Sequence, residues 1–315
     1  MLSPRDEISQ YRAWLAERLK MEREGTKRQP LHTAEVKHWD AFLFLVRIFR
    51  FLLIILGLYK KGQKNALALE TVHHQQKFKN LPAAFEKTRI LHLSDLHIDG
   101  MPELLKILKK QLREIGPVDF CVFTGDYGVS PLKSEDPNHP MVSDMKEILE
   151  CIDSTHPPIG ILGNHDSAHT VSLFNELGIK MLVNQKLQFE KDGEVLQFVG
   201  TDDVHYFYGP QSLKCLEHCQ EHFTVGLIHS PELFDFAAEA GVDFYLAGHT
   251  HGGQIRFFNR PLITHLDRGK QYSAGNWKYR QMKGHTSVGV GTSGIPVRYG
   301  VNPQILVHQL IREES

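Results

Sequence analysis

Five short stretches of this 315-residue chain carry side chains that bind divalent metals. They are Ser94-Asp95-Leu96-His97, Thr124-Gly125-Asp126-Tyr127, Gly163-Asn164-His165-Asp166, Ile228-His229-Ser230 and Gly248-His249-Thr250-His251. Carboxylate oxygen, amide oxygen and imidazole nitrogen suit borderline-hard ions such as Mn, Fe, Zn or Co. None of the five contains cysteine, so a thiolate zinc site is the wrong reading. Two ions about 3.5–4 Å apart need a shared ligand. Asp126, with two oxygens, is the natural bridge, and Gly125, Gly163 and Gly248 let the backbone turn tightly beside their ligands.

Each stretch follows an apolar run: Arg89–Leu93, Phe120–Phe123, Ile159–Leu162, Val225–Ile228 and Phe244–Ala247. Short apolar runs bounded by turn residues read as buried strands. Loops beyond the carboxyl ends of such strands converge on one edge of an α/β sheet. Leu104, Leu105, Ile107, Leu108 and Leu112 mark a helix over 101–115, ended by Gly116-Pro117. Further helices are expected over 145–152 and 173–178, and strand–helix alternation indicates a parallel inner sheet. The proline-rich loop 130–141 lies just beyond Asp126 and is expected to rim the site. From Leu182 the texture changes. Two alternating runs flank Asp192-Gly193, a hairpin signal, and 289–291 and 304–308 read as late strands. The expected architecture is therefore a four-layer αββα sandwich of two mixed sheets.

In this order the five blocks resemble the calcineurin-like metallophosphoesterase superfamily, whose pattern is D-x-H, GD, GNH(D/E), H and GHxH. The likeness covers roughly residues 88 to 310. It implies a first metal held by Asp95, His97 and His251 and a second held by Asn164, His229 and His249, with Asp126 between them. It also implies that His165 contacts the phosphate and the leaving group, with Asp166 orienting it. The implied cofactors are two divalent ions, manganese among the candidates. The implied reaction is hydrolysis of a phosphodiester or pyrophosphate by metal-activated water. Protein Ser/Thr phosphatases of this superfamily follow GD with Arg and end the third block in Glu; here Gly128-Val129-Ser130 follows Tyr127, and Asp166 ends the block. The stretches Gly252–Arg256 and Gly291–Gly294 instead look like the bacterial membrane-associated phosphodiesterase branch. One activity known in that branch is cleavage of UDP-2,3-diacylglucosamine in lipid A synthesis. Two other readings stand beside an amphiphilic substrate: a soluble nucleotide-type substrate, or a non-catalytic binding module. The last predicts eroded ligands, and all seven ligand positions and His165 are intact.

The net charge of −1 and the pI near 7.0 supply no field for nucleic acid. Cys121, Cys151, Cys215 and Cys219 form no secreted disulfide framework. Cys215, His218, Cys219 and His222 are expected to line one helical face, where four ligands in a row cannot wrap a tetrahedral ion. Three regions are expected: 1–62, a helical and membrane-associating segment; 63–87, a polar linker with an edge strand near Ala66 to Val72 and solvated His73 and His74; and 88–315, the catalytic domain. Ser3-Pro4 starts an amphipathic helix led by Ile8, Tyr11, Leu15 and Leu19 and stopped by Gly25. Such a helix packs on a membrane, on the catalytic domain or on a second chain. Residues 41–58 hold fourteen strongly apolar residues, flanked by Trp39 and by Tyr59-Lys60-Lys61. Arg47 and Arg50 cost a span about 2.5–3.5 kcal/mol each, roughly offset by the apolar residues at about −0.3 to −0.6 kcal/mol each. A span, an in-plane helix and a buried core helix all remain open. The first two place the chain at a membrane, with the cytoplasmic face of an inner membrane as the expected side. Residues 1–62 contain none of the ligand blocks, so the catalytic domain is expected to work without them.

Overall fold

The computed structural model describes residues 4–28, 39–258 and 260–313. Its elements run α1 (Pro4–Glu24), α2 (Trp39–Ile55), α3 (Tyr59–Ala66), β1 (Glu70–Phe78), β2 (Arg89–Leu93), α4 (Pro102–Ile115), β3 (Phe120–Phe123), α5 (Pro140–Leu149), β4 (Ile159–Gly160), α6 (His169–Glu176) and β5 (Lys180–Met181). The second half adds β6 (Gln185–Lys191), β7 (Glu194–Gly200), α7 (Pro210–Lys214), β8 (Phe223–Leu227), α8 (Phe234–Glu239), β9 (Phe244–Ala247), β10 (Arg256–Phe257), β11 (Arg260–Pro261), β12 (Gly275–Tyr279), β13 (Met282–Thr286) and β14 (Gln304–Arg312). Two six-stranded sheets form, in the orders β1-β14-β2-β3-β4-β5 and β12-β13-β9-β8-β7-β6.

Both sheets are mixed. Strands β2, β3, β4 and β5 run parallel, as do β7, β8, β9 and β13, while β14 opposes β2, β6 opposes β7 and β12 opposes β13. The β3 sequence Phe120-Cys121-Val122-Phe123 shows why inner strands read as unbroken apolar runs. Phe120 and Val122 face the second sheet, with Ile90, Phe198, Val225 and Phe244. Cys121 and Phe123 face the outer helices, with Leu104, Leu108 and Met145. A third cluster, with Tyr245, Ala247, Leu216 and Ala237, covers the far face of the second sheet. The sandwich is thus layered as expected.

Several expectations change. The edge strand expected near 66–72 forms later and runs longer, so residues 63–87 are more than a linker: β1 pairs in parallel with β14 from Glu70↔Gln304 to Phe78↔Arg312 and forms the sheet edge. Residues 289–291 are irregular rather than a strand, because they lace along the Asp95 loop through Val290 N–H to Ser94 O and Gly291 N–H to Asp95 O. The second-half helix ends at Lys214, and His218 is left-handed at φ 63°, so Cys215, His218, Cys219 and His222 share no helical face. Helix α1 has the expected length and ends before Gly25 at φ 62°; the Ser3 cap lies outside the described residues. Among the described residues, no helix is long and apolar enough to cross a membrane. Helix α2 has 17 residues. At about 1.5 Å per residue that is roughly 25 Å, short of a hydrocarbon core of about 30 Å.

His74 is not solvated either. Its ring lies 4.9 Å from His285 and 5.8 Å from His308, and His92 lies 5.7 Å from His308. His92, His285 and His308 are fully buried between the sheets, each with one ring nitrogen lacking a partner. Burial pushes all four imidazoles down, His92 to about 3, and for His285, His308 and His74 neighbouring histidines add to it. The unfolded chain therefore binds more protons than the folded one below about pH 6.5. Stability is complete above that value and falls with pH at about 1.4 kcal/mol per unit for each such histidine. His308→Leu is expected to lose less melting temperature between pH 7.5 and 5.5 than the wild type. Parallel thermal melts of the two proteins would refute this.

Candidate metal centre

The five loops leave the carboxyl ends of β2, β3, β4, β8 and β9 and are stitched together by backbone bonds. Asp95 N–H donates to Gly125 O at 2.9 Å, His97 N–H to Asp126 O at 3.2 Å and Gly248 N–H to His229 O at 2.8 Å. The two sheets meet here: the Asp95 carboxylate accepts from His249 N–H at 3.0 Å, and His229 Nδ1 lies 2.6 Å from Thr124 O.

Asp95, His97, Asp126, His249 and His251 all have positive φ, between 39° and 70°. This region disfavours any residue with a Cβ, and such strain concentrates where surrounding structure holds a functional geometry. Gly125, at φ 92°, is the glycine that a turn requires. Gly163 is needed for space instead: a Cβ there would lie 2.3 Å from Asp126 Oδ1 and 2.7 Å from His229 Cε1.

All seven expected ligands converge. Asp95, His97 and His251 offer donor atoms to one point, and Asp95, Asp126 and His229 to another. Asp126 Oδ2 lies between the halves, 3.7 Å from His97 Nε2 and 3.4 Å from His229 Nε2. Asp95 belongs to both groups, so sharing is not confined to Asp126. Asn164 Oδ1 lies 3.1 Å from His229 Nε2 and 2.7 Å from His249 Nδ1. Carbonyls aim the rings, as outer partners of ligating histidines do. Gly128 O holds His97 Nδ1 at 2.9 Å, Thr124 O holds His229 Nδ1, and His265 O holds His249 Nε2 at 3.2 Å. The opposite nitrogen of each ring then faces the cluster.

The electrostatics fit a dication. Burial, with the Asp126 charge beside it, pushes the Asp95 carboxyl up to about 6. Burial also works against ionised Asp126, but His229, His165 and His97 hold it well below the usual range. Asp126, Asp95 and Asp203 draw a proton onto His229 and raise it well above its ordinary value, although burial opposes this. Three buried carboxylates demanding positive charge, with nitrogen and amide donors among them, suit a divalent ion better than a lone imidazolium.

His165 is half-buried, with its ring centre 5.0 Å from that of His97. Its N–H donates to Asp126 Oδ1 at 2.8 Å, and its Nδ1 lies 2.8 Å from Val129 O. Val129 O, not Asp166, therefore orients the ring. The Asp166 carboxylate instead accepts from Asp126 N–H and Gly163 N–H at 2.7 Å and from Tyr127 N–H at 3.0 Å. Its role is to clamp two ligand loops together. The 130–139 loop that follows Val129 is mostly exposed, and α5 begins at Pro140.

Sequence reasoning missed a third layer of contacts. Asp203, in the loop after β7, accepts from His205 N–H and Tyr206 N–H, and the His205 ring lies 4.3 Å from that of His249. His205 is paired at 2.8 Å with buried Glu232. The signal was available: Thr201-Asp202-Asp203 follows an apolar run ending in Gly200, much as the loops of Asp126, Asn164 and His249 follow apolar runs with a glycine at the turn. Arg298, fully buried, donates to Val288 O at 2.7 Å and Gly289 O at 3.1 Å and supports the loop beneath His251.

Of the three placements expected for it, α1 adopts packing on the domain that carries the ligand blocks. Its contact face is Tyr11, Trp14, Arg18 and Met21 rather than the face led by exposed Ile8. Arg18 is 1% exposed, pairs with Asp202, donates to Asp166 O at 2.7 Å and to Glu22 Oε1 at 2.8 Å, and stacks 3.4 Å over Phe207. Trp14 Nε1 donates to Asp202 at 2.7 Å, and Glu22 accepts from Ala168 N–H at 2.9 Å. Arg18 and Glu22 therefore touch the third ligand block and the residues just after it, so removing residues 1–62 would remove contacts to the Asp166 loop. Arg18→Ala leaves the buried Asp202 charge without its cation, a change that costs about 3–5 kcal/mol in buried pairs. We expect α1 to undock, with new proteolytic cuts within 4–28. Turnover should drop on the order of 10-fold to 10²-fold through displacement of the Asp166 loop. Wild-type cleavage resistance and turnover in that variant would refute it.

A two-sheet α/β sandwich carrying carboxylate, amide and imidazole donors at one edge defines the class, a phosphoesterase-type fold with a candidate metal site. The chain belongs to the calcineurin-like phosphoesterase family, whose model matches residues 88–253. It is similar to two Bacillus subtilis (strain 168) proteins. One, described as uncharacterized metallophosphoesterase YkuE, is 29% identical over 253 residues, covering 77% of this chain and 85% of that one. The other, uncharacterized metallophosphoesterase YkoQ, is 26% identical over 286 residues, covering 85% and 100%. Phosphodiesterase YaeI of Escherichia coli (strain K12) is 25% identical over 249 residues, covering 76% and 87%.

Proposed function

We propose that the chain is a dinuclear-metal-dependent hydrolase of a phosphodiester or pyrophosphate bond. One observation carries this reading: Asp95, His97 and His251 offer donor atoms to one point and Asp95, Asp126 and His229 to another, with Asn164 joining His229 to His249 alongside and the half-buried ring of His165 next to them. Asp95, His97 and His251 would hold one divalent ion and Asn164, His229 and His249 the other, with Asp126 between. Bound there, such ions supply Lewis acidity toward the phosphoryl oxygens and toward water. The carbonyls of Gly128, Thr124 and His265 keep the ligand rings in one tautomer and orientation. His165 Nδ1–H donates to Val129 O, so that in the imidazolium form Nε2–H is left to donate to a phosphoryl oxygen and to pass its proton to the departing oxygen, the ring ending neutral. Asp166 holds the Asp126 and Gly163 loops in register.

The absence of Arg after Gly125-Asp126-Tyr127, and Asp166 in place of Glu, favour diesters over phosphoproteins. The name of YaeI, a phosphodiesterase, agrees with that choice. A lipid-linked pyrophosphate such as UDP-2,3-diacylglucosamine is the preferred substrate type. A soluble nucleotide is the second reading, kept because the ligand blocks lie outside the apolar segment, which would then only anchor the chain. The test is hydrolysis by the full chain, stripped of metal and reloaded with Mn²⁺. The panel is a chromogenic diester, a cyclic nucleotide and UDP-2,3-diacylglucosamine in detergent, with products read by mass spectrometry. Manganese-dependent cleavage of a diester or pyrophosphate is expected. Metal-loaded protein that cleaves none of the three would overturn the proposal.

A further inference from the structure

Two surface segments leave large apolar side chains in solvent. On α2 and the turn after it, Phe44, Leu45, Phe51, Ile55 and Leu56 are each 61–66% exposed. On the β10–β11 hairpin, Phe257 is 60% exposed, Phe258 fully exposed and Leu262 55% exposed. Isolated exposed apolar residues are ordinary, but a contiguous group marks a contact surface.

The two segments are neighbours. The inner side of α2, Leu53 with Val46 and Phe49, packs on Ile295 and Val297, and Ile255 and Tyr299 join the same cluster. Arg256 N–H donates to Tyr299 O at 2.8 Å, and Tyr299 Oη donates to Leu58 O at 2.6 Å. The hairpin root and the end of α2 are thus tied to one strip, residues 295–299. The hairpin also leaves the metal centre directly. Arg256 Nε donates to Gly252 O at 2.7 Å, one residue after His251, and a Cβ on Gly253 would strike Pro261.

Charge selects the partner. From the start of α2 at Trp39 to residue 69 there are five cations, Arg47, Arg50, Lys60, Lys61 and Lys64, against one carboxylate, Asp40. Between 254 and 266 there are two, Arg256 and Arg260, with no carboxylate. The chain as a whole carries −1. Apolar and aromatic side chains mixed with a clear excess of cations match the boundary between acyl chains and anionic headgroups. An amphipathic helix too short to span lies in that plane.

We infer that α2 and the β10–β11 hairpin form one composite face that docks in-plane on an anionic lipid bilayer and sets the mouth of the metal centre against it. This goes beyond the hydrolase reading and does not depend on it, because binding is measured apart from turnover. The test is flotation of the full chain with vesicles of phosphatidylglycerol and phosphatidylcholine, or of phosphatidylcholine alone. The wild type is expected to float with the anionic vesicles and to partition at least tenfold less onto the neutral ones. Phe257→Ser combined with Phe258→Ser should cut anionic partitioning at least tenfold, with turnover of a soluble chromogenic diester and circular dichroism unchanged. Arg47→Gln combined with Arg50→Gln should lower it by a similar factor without touching the hairpin. Failure of the wild type to float on either vesicle overturns the inference, as does hairpin-independent flotation. A dimer by light scattering that the Phe257→Ser, Phe258→Ser variant dissociates, with no flotation, would assign the face to a second copy and also overturn it.

Discussion

Asp126→Asn is expected to strip both halves of the metal centre together, whereas Asn164→Ala weakens only the second. The Asp126 Oδ2 atom stands 3.7 Å from His97 Nε2 and 3.4 Å from His229 Nε2, one ring from each half. Asparagine removes the negative charge and one of the two oxygens, so neither half keeps its shared donor. Its effect on affinity should exceed the 10–100-fold typical of losing an outer partner of a ligand. Asn164 touches only His229 and His249, leaving Asp95, His97 and His251 in place. The measurement is metal per chain by elemental analysis after Mn²⁺ loading and desalting. Asp126→Asn retaining as much metal as the wild type would disprove the shared role. Because Asp95 enters both donor groups, Asp95→Asn should resemble Asp126→Asn rather than His251→Ala.

His165→Ala is expected to keep its metal and lose turnover. The side chain is held by Val129 O and its backbone by Asp126 Oδ1. Truncation at Cβ leaves that backbone bond and every proposed ligand intact. Loss of a positioned proton donor typically costs on the order of 10²–10⁴-fold. The loss should be smaller for p-nitrophenyl esters than for alkyl esters, because p-nitrophenolate departs without a proton. An equal loss across leaving groups would assign His165 to charge stabilisation on phosphorus, and wild-type kcat with both would remove it from the chemistry. Asp166→Asn makes a useful contrast. Its carboxylate binds three backbone N–H groups of the ligand loops rather than the His165 ring. Its loss should therefore appear in metal retention and stability, without dependence on leaving group.

The ligand blocks were legible in the sequence because metal chemistry restricts residue type and because each block sits on a short turn after an apolar run. Those are local properties, set by side-chain donors and backbone sterics within four or five residues. The α4 pattern of Leu104, Leu108 and Leu112 and the Asp192-Gly193 hairpin turn are local in the same sense. Asp192 and Gly193 take positive φ, as a two-residue turn of matched twist requires.

Tertiary structure alone decided the rest, because the deciding partner lies far along the chain. Arg18 reads as the solvent side of a helix; it is buried because Asp202, 184 residues away, and Asp166 O, 148 residues away, meet its guanidinium. His73 and His74 read as a polar linker; pairing of β1 with β14 leaves His73 exposed and turns His74 inward against His285 and His308. Asp166 reads as a partner for the adjacent His165; the folded chain offers it three backbone donors and gives His165 the carbonyl of Val129 instead. In each case the outcome rests on contacts that only the folded chain brings together, and composition and periodicity carry no record of where those contacts will be.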